Sequence, residues 1–506
     1  MCGFYVSNIE SPIDSLSNIL DRHLAFRGPD YQSEIIFING WQIYHSRLAI
    51  IDLDSSAQQP IINKDGSFLI FNGEILNFHK LGKKYFNRNY SSDTWLLNDL
   101  IVNDALILEE LDGFFSFVFV DSNGKLKYAA RDSFGVKPLF SYSSGDVIAF
   151  CSEPYVLAKN FKCEVSKKSL KEYRLFRYPI ISGSYFTEVE QVQPGTCYVS
   201  GEYFNAASYF REQEGEFSYD EFKDGIVSGI ESRLVSDARI GLLLSKGVDS
   251  NLIQNISKID TLYSAGFPGD DDFEFLKSKD ITGLRLCEIT PEQFIESFEY
   301  LVKIRGEPLS VPNEVLLYIL AKKAKDDGVR VLLSGEGADE FFAGYDKIFT
   351  WSLGLDEFNI EQFVNLYAYD DLTYESSIYT DLLNIFHNVK DLSAFDQVRW
   401  FFIRYHMPVL FRRLDFSLMA AGVEGREPLA NMHVFSAAVK ARPEQLMYES
   451  LGKLPMRKFL SEFMGKEFAF EEKIGFPVDL TKIFKEKELG NYDIWFSKNL
   501  ELLQWS

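Results

Sequence analysis

The chain is poor in the residues that build metal centres and disulfide frameworks. Its five cysteines, Cys2, Cys151, Cys163, Cys197 and Cys287, are scattered, and its six histidines show no ligand spacing. With no C-x-x-C pair and an odd cysteine count, a zinc site or a disulfide scaffold is not expected, and a reducing, cytoplasmic setting is. Positive charge is scarce as well: 52 Lys and Arg against 74 Asp and Glu leave a formal charge of −22. An anionic surface repels nucleic-acid phosphates and anionic lipids, so neither is expected as a general partner, and any phosphate site has to be locally basic. No apolar run approaches the ~20 residues of a membrane helix, so membrane insertion is not expected. The densest run, Phe114–Val120, has strand length. The start of the chain lacks a basic stretch followed by an apolar one, so no secretory signal is expected.

What is present begins with length. A chain of 506 residues exceeds what one hydrophobic core usually supports, so two or more domains are expected. Up to about residue 205 the pattern is short β-rich runs separated by turn signals, among them 33–38, 42–51, 68–71, 114–121, 127–131 and 147–152. Helical stretches near 13–24 and 94–108 interrupt them, which argues for α+β with packed sheets. A polar stretch over 211–218 marks a joint, giving domains over 1–205 and 219–506 with a linker over 206–218. In the second half, Phe222, Ile226, Val227, Ile230 and Leu234 keep helical spacing. Apolar strands over 240–244, 261–266 and 329–333 then alternate with helices, the pattern of a parallel sheet whose ligands sit at the strand C-terminal ends.

Several clusters carry groups that do not help a core. Cys2 follows the initiator Met, and removal of Met1 would place a thiol and a free α-amine on one residue. The amine, with an ordinary pKa near 7.7, could then act as base for the thiol. Further on come Arg27-Gly28-Pro29-Asp30, His45-Ser46-Arg47-Leu48, Phe71-Asn72-Gly73-Glu74 and Ser91-Ser92-Asp93-Thr94. Singly each has a plain structural account: a surface Arg27–Asp30 pair, a hairpin turn at Asn72-Gly73, a helix cap at Asp93. In order behind an N-terminal cysteine they closely resemble the class II glutamine amidotransferase domain, an N-terminal-nucleophile (Ntn) glutaminase. The stretch from Ala130 to Leu139 and Ser152-Glu153 also match that family. The resemblance implies that Cys2 attacks the glutamine amide and that Asn72 and the Gly73 N–H form the oxyanion hole. It also implies that Arg47 pairs with the substrate carboxylate, that Asp93, Gly73 and Glu74 hold its ammonium end, and that Arg27 belongs to a loop closing over glutamine.

The strand over 240–244 runs into Ser245-Lys246-Gly247-Val248-Asp249-Ser250 and then a helix, an arrangement that points backbone N–H groups at a phosphate. It is not a Walker loop. The strand ending at Leu333 is followed by Ser334-Gly335-Glu336-Gly337-Ala338-Asp339-Glu340 and by Gly344-Tyr345. The first loop resembles the PP-loop of ATP pyrophosphatases, usually S-G-G-x-D-S, and the second resembles its counterpart in asparagine synthetases. Gly422–Leu429 and Lys473-x-Gly475-Phe476 extend the likeness. Nearly the whole chain thus resembles glutamine-hydrolysing, class B asparagine synthetases. The implied fold is an α+β Ntn-hydrolase sandwich followed by an α/β parallel-sheet synthetase domain with many helices.

The chemistry implied is ATP-dependent activation of an acceptor carboxylate as an acyl-adenylate, followed by attack of ammonia channelled from glutamine. Leu244, Ser245, Lys246, Gly247, Asp249, Ser250, Ser334, Gly335 and Arg426 would contact ATP, and Asp249 and Asp339 would hold Mg2+. Lys473 would neutralise the leaving pyrophosphate, and Glu336 would take a proton from ammonia or support the tetrahedral intermediate. A homodimer is part of the family likeness. Departures fall on the synthetase side. Lys246 replaces the first Gly of the usual loop, where a strained backbone would cost roughly 1–3 kcal/mol and a phosphate contact could repay it. Asp415–Ala420 and Arg426–Asn431 differ from the usual D-R-M-S-M-A and R-V-P-F-L-D. These put the acceptor in question more than the activation. Aspartate is the family default. The alternatives are another carboxylate, such as a uronic acid of a surface-polysaccharide (O-antigen) precursor, a cyclising reaction on an internal amine, and a catalytically degenerate regulatory or scaffold protein. Intact Cys2, Arg47, Asn72 and Asp93 argue against the cyclising reading, and Glu336, Asp339 and Lys473 argue against the degenerate one.

Overall fold

A computed structural model describes residues 2–212, 215–373, 375–471 and 478–505. The N-terminal half is built on two antiparallel sheets. The first has seven strands, with Cys2–Ser7 at its centre between Trp41–Arg47 and Val147–Cys151. The second has six, with Gly113–Val120 between Phe68–Ile75 and Leu126–Arg131. Successive side chains on a strand face opposite ways, and here the even positions of Cys2–Ser7 and Phe68–Ile75 face inward. Phe4, Val6, Ile43, Phe68, Ile70, Val118 and Ala129 form one buried cluster between the sheets. On the outer faces, Leu69, Phe71 and Phe117 pack with Leu96, Leu97 and Leu100 of the helix Asp93–Val102. Tyr5, Tyr44 and Ala149 pack with Leu16 and Leu20 of the helix Ile13–His23 and with Val156 and Leu157 of Pro154–Phe161. The result is a helix–sheet–sheet–helix sandwich.

Two expectations of local structure need correction. Asn72-Gly73 is not a hairpin turn: both lie inside the eight-residue strand Phe68–Ile75. The strand continues because Gly73 adopts φ +141°, and a Cβ there would come within 2.1 Å of the Phe114 carbonyl oxygen on the neighbouring strand. Arg27 and Asp30 do not pair with each other. Asp30 accepts from the Ala49 N–H and pairs with Arg330 of the second half, while Arg27 turns inward. In the stretch read as a linker, Ala206–Arg211 forms a helix, with Asn205 as its cap and Phe210 buried. The next helix, Tyr219–Ser232, starts behind the cap Ser218.

The C-terminal half is organised by a five-stranded parallel sheet in the spatial order Leu284–Glu288, Leu262–Gly266, Ile240–Leu243, Val331–Leu333, Glu424–Arg426. The first strand in the chain, Ile240–Leu243, is central, and later strands add on either side. The order therefore reverses between Ile240–Leu243 and Val331–Leu333. Ligands of open α/β sheets bind at such a point, beyond the strand C-termini. Both Gly-containing loops leave from there. No helix among the described residues is long and apolar enough to cross a membrane.

The two halves meet through a buried ion-pair chain. Arg27 pairs with Glu153 at 2.7 Å and Asp415 at 2.8 Å, and Lys137 approaches Asp415 at 3.6 Å. Arg412 pairs with Glu153 and with Glu307 at 3.2 Å, and Arg305 pairs with Glu314 at 2.6 Å. Each of these side chains is at most 2 % exposed. The helix Met407–Met419 supplies Arg412 and Asp415. Removing charges from water costs several kcal/mol per ion, so such a chain adds little net stability. A slipped interface would strand single charges, which favours one docking of the two halves.

Candidate functional site

The polar residues of the glutaminase-like motifs continue the inner faces of the sandwich past its apolar centre. Cys2 keeps the parity of Phe4 and Val6, His45 and Arg47 that of Ile43, and Asn72 and Glu74 that of Ile70. Strand pairing sets Cys2 opposite Arg47. The Cys2 N–H donates to Asn72 Oδ1 at 2.9 Å, and Asn72 Nδ2 is buried with no hydrogen-bond partner. A buried N–H left unpaired costs roughly 1–3 kcal/mol, and this one belongs to the residue that bonds the Cys2 backbone. Arg47 donates to the backbone carbonyls of Asp54, at 2.9 Å, and Asp52. It forms no ion pair among the described residues, so its charge is open to an anion.

Asp93 begins the helix Asp93–Val102, but the cap is Ser92, which accepts from the Trp95 N–H. Asp93 instead accepts from the Ile75 N–H at 2.9 Å and the Thr94 N–H at 2.7 Å. Burial pushes its pKa up to about 6 against those bonds. Burial and the neighbouring Asp93 also raise Glu74 well above the usual carboxylate range. Burial pushes the Cys2 thiol up, opposed by a backbone hydrogen bond from Leu48 and by the Arg47 charge.

Arg27 ends the short turn Ala25–Arg27 beside the Cys2 strand. It is fully buried, its Nε donates to the Cys2 carbonyl at 3.0 Å, and its Nη1 reaches Glu153 and Asp415. It links the first strand to the interface between the halves.

At the parallel sheet the expected loop residues converge. Ser245 Oγ accepts from the Gly247 N–H and lies 3.1 Å from Ser250 Oγ, while Asn251 Nδ2 donates to the Ser245 and Gly247 carbonyls. Leu244, Ser245, Ser250, Ser334, Gly335 and Glu336 line a cavity of about 300 Å3. Asp249 and Asp339 border it and also a smaller cavity of about 160 Å3, which Lys246, Gly247, Lys453 and Arg457 line too. Lys246 pairs with Glu471 and lies 4.8 Å over the Phe275 ring. It is not among the positive-φ residues, so the strain expected of a non-glycine there is absent. Lys473 lies outside the described residues. Arg426 does not reach the cavities as expected of an ATP contact. It is fully buried, pairs with Glu424 at 2.5 Å and donates to the Arg233 and Val235 carbonyls at 2.7 Å.

Sequence reasoning missed Lys453. Its Nζ lies 2.6 Å from Asp249 Oδ2 and 2.7 Å from Asp339 Oδ1. Burial alone would lower the ammonium pKa, but the two carboxylates outweigh it and raise it. Gly344 gives it room: a Cβ there would meet Asp339 Oδ1 at 1.8 Å and Lys453 Cε at 2.4 Å. The available signal was a cation in the wrong place. Lys453 caps the N-terminus of the helix Leu454–Met464, where the helix dipole disfavours positive charge.

Glu336 also lines a third and larger space, a cleft of about 580 Å3 walled by Arg177, Glu314, Arg413, Tyr492 and Trp495. The cavity between the two loops and the cleft therefore share a carboxylate.

Glu427, which departs from the usual R-V-P, is buried with both carboxylate oxygens lacking a hydrogen-bond partner. Burial pushes its pKa up to about 8. Lys137 opposes this, and Asp415, Asp132 and Glu336 add to it. An acid with a folded pKa above its unfolded value near 4.3 carries no penalty below that value and loses stability as pH rises towards 8. Glu427→Val is therefore expected to gain about 1–3 kcal/mol over the wild type at pH 8, and much less at pH 5. Urea unfolding at both values measures it, and a gain that did not vary with pH would refute the assignment.

Comparison with known proteins matches these two halves separately. A glutamine amidotransferase domain model covers residues 1–210, and an asparagine synthase model covers residues 221–496. An N-terminal amidotransferase domain joined to a parallel-sheet synthase domain is thus the class that fold and sites define. The chain belongs to the asparagine synthase family. It is 28% identical over 381 residues to asparagine synthetase [glutamine-hydrolyzing] 1 of Bacillus subtilis, covering 68% of this chain and 59% of that protein. The chain thus spans about three fifths of that relative's length. It is 26% identical over 511 residues to asparagine synthetase [glutamine-hydrolyzing] 3 of the same organism, covering 90% of this chain and 82% of that one. A probable asparagine synthetase of Schizosaccharomyces pombe is 25% identical over 496 residues, covering 88% and 77%.

Proposed function

We propose that the protein transfers the amide nitrogen of glutamine, as ammonia, to a carboxylate activated by ATP, and that this carboxylate belongs to a molecule larger than aspartate, such as a uronic acid of a surface-polysaccharide precursor. The observation that carries the reading is the position of Glu336, on the wall shared by the cavity between the two Gly-containing loops and the 580 Å3 cleft. ATP in the cavity and an acceptor in the cleft would meet there.

In the glutaminase half, Cys2 Sγ attacks the amide carbon, and the α-amine exposed by removal of Met1 accepts the thiol proton. Asn72 Nδ2 and the Gly73 N–H then receive the oxyanion, the α-ammonium returns its proton to the nitrogen as the C–N bond breaks and ammonia leaves, and water hydrolyses the remaining thioester to glutamate. Arg47 binds the substrate carboxylate, and Asp93 with Glu74 takes the ammonium end. Asn72→Ala is expected to cut glutamine hydrolysis about 10²-fold without touching ammonia-driven synthesis, as glutamate release against pyrophosphate release would show.

In the synthetase half, the acceptor carboxylate attacks the α-phosphorus of ATP and pyrophosphate leaves into the 160 Å3 cavity beside Lys246, Lys453 and Arg457. Asp249 and Asp339 are hard oxygen donors in the number Mg2+ usually takes from protein when phosphates complete its shell. Mg2+ bound there would supply charge neutralisation for the pyrophosphate. Glu336 accepts the proton that ammonia loses on attacking the acyl-adenylate, and the acyl C–O bond breaks to release AMP.

A second reading, aspartate to asparagine, is favoured by the names of the relatives. Pyrophosphate release with Mg-ATP and ammonium across aspartate, glutamate, free uronic acids and nucleotide-linked uronic acids separates the two. Release with a uronic acid and none with aspartate is the expected result. Release with aspartate alone would establish the second reading.

A further inference from the structure

The cleft continues beyond the reach of a small acceptor. A further cavity of about 310 Å3 shares Arg177, Ser310, Val311, Tyr345 and Arg413 with it. Cavities of roughly 300–1,000 Å3 suit ligands far larger than an amino acid. The two arginines stand where the spaces join, and neither forms an ion pair or hydrogen bond to a protein group among the described residues. Arg177 is held by aromatic faces, 3.5 Å over the Tyr369 ring and 5.1 Å from Tyr492, with Nε buried and unpartnered. Arg413 is close enough to oppose the Arg177 charge. Lys347 lines the outer cavity as a third cation, against the single carboxylate Asp346.

Two adjoining guanidinium groups without acidic partners are costly in any chain. In a chain of charge −22, two such groups side by side mark a place suited to an anion. The walls outside them are flat and aromatic: Tyr345 stacks on Phe402 at 4.5 Å, and Tyr367 bonds His406 Nδ1 at 2.7 Å. Phe402 and His406, which line the outer cavity, begin and end a π-helical turn, a local device that often accompanies ligand sites.

We propose that Arg177 and Arg413 form a subsite for the diphosphate of a carrier on which the acceptor is presented, with the carboxylate end directed inward to Glu336. This rests on the reading of the 580 Å3 cleft as the acceptor site. The shared chemistry is a diphosphate ester, whether of a nucleoside or of a polyprenol. Guanidinium pairs suit it because each offers two parallel N–H donors to phosphate oxygens.

The test is calorimetric binding of uridine diphosphate and, separately, farnesyl diphosphate to the whole protein, with a non-hydrolysable ATP analogue saturating the nucleotide cavity. Binding of one or both, weakened at least about tenfold in Arg413→Gln, is the expected result, and which ligand binds identifies the carrier. Arg413 is half-buried and unpaired, so its removal leaves no stranded partner. Arg177→Lys, which keeps charge but loses the fork, is expected to weaken binding in the same direction. Binding of neither ligand, or binding that Arg413→Gln leaves unchanged, would overturn the proposal. The readout needs no turnover, so a protein that binds the diphosphate yet amidates only aspartate would sink the acceptor reading and leave the subsite standing.

Discussion

Replacing Cys2 by alanine is expected to lower glutamine-dependent synthesis by at least about 10⁴-fold and to leave ammonium-driven synthesis within a factor of about two. Cys2 carries the thiol on the inner face beside Asn72 and Arg47, and the synthetase half carries its own separate cavities. Its environment also predicts how the reaction responds to pH. Burial holds the thiol up, so little thiolate forms at neutrality and a base is needed. An α-amine with an ordinary pKa near 7.7 supplies one only when neutral. Asp93, pushed up to about 6, is ionised and able to hold the glutamine ammonium only above that value. Both requirements are met as pH rises, so kcat/KM for glutamine should climb in two limbs, near pH 6 and near pH 7–8. Asp93→Asn should remove the lower limb and raise KM. An alanine inserted between Met1 and Cys2 should abolish glutamine use while sparing the thiol. If that insertion mutant still hydrolysed glutamine normally, the α-amine would not be the base.

The grouping of Cys2, Arg47, Asn72 and Glu74 was legible through the resemblance of short motifs, each a local run of sequence, while the strand parity that sets them on one inner face emerges only in the fold. The strand–loop–helix units around Ser245 and Ser334 were legible for the same reason. What escaped was decided by which partner each side chain finds once folded, whether distant in the chain or next to it. Arg27 and Arg426 sit in motifs rich in ligand-binding types, and a basic residue in such a motif reads as a ligand contact. Glu153 and Asp415 claim Arg27 from 126 and 388 positions away, and Glu424 claims Arg426 within the sheet. Asn72-Gly73 read as a turn because the pair is common there. In place, the φ of Gly73 lets the strand run on past the site. The cleft walls come from segments near 177, 310, 345, 413 and 492, and no window of sequence brings those together.

Lys453 carries the other large expectation. Lys453→Met should reduce pyrophosphate release at least about 10³-fold with either nitrogen source, while glutamine hydrolysis at Cys2 persists. In the wild type one ammonium lies within hydrogen-bond distance of both Asp249 and Asp339. Taking away one partner of a buried ion pair typically costs about 3–5 kcal/mol, because the charge left behind is uncompensated. Two carboxylates left facing a small cavity can lower that cost by binding a proton or by binding a divalent cation. The variant should therefore bind Mg2+ in the absence of ATP more tightly than the wild type does, and its unfolding midpoint should rise with added Mg2+ as ligand linkage requires. The wild type, whose carboxylates already share a cation, should respond far less. Lys453→Arg keeps the charge but replaces a compact ammonium by a planar fork, so it should stay folded, show little Mg2+ dependence and still release pyrophosphate slowly. This pattern separates a lysine that acts on the leaving pyrophosphate from one that only balances charge. In the second case Lys453→Met supplied with Mg2+ would recover its stability and its rate together. Recovery of stability without recovery of rate is the expected result, since the cation would then occupy the place of the ammonium that faces the departing phosphates.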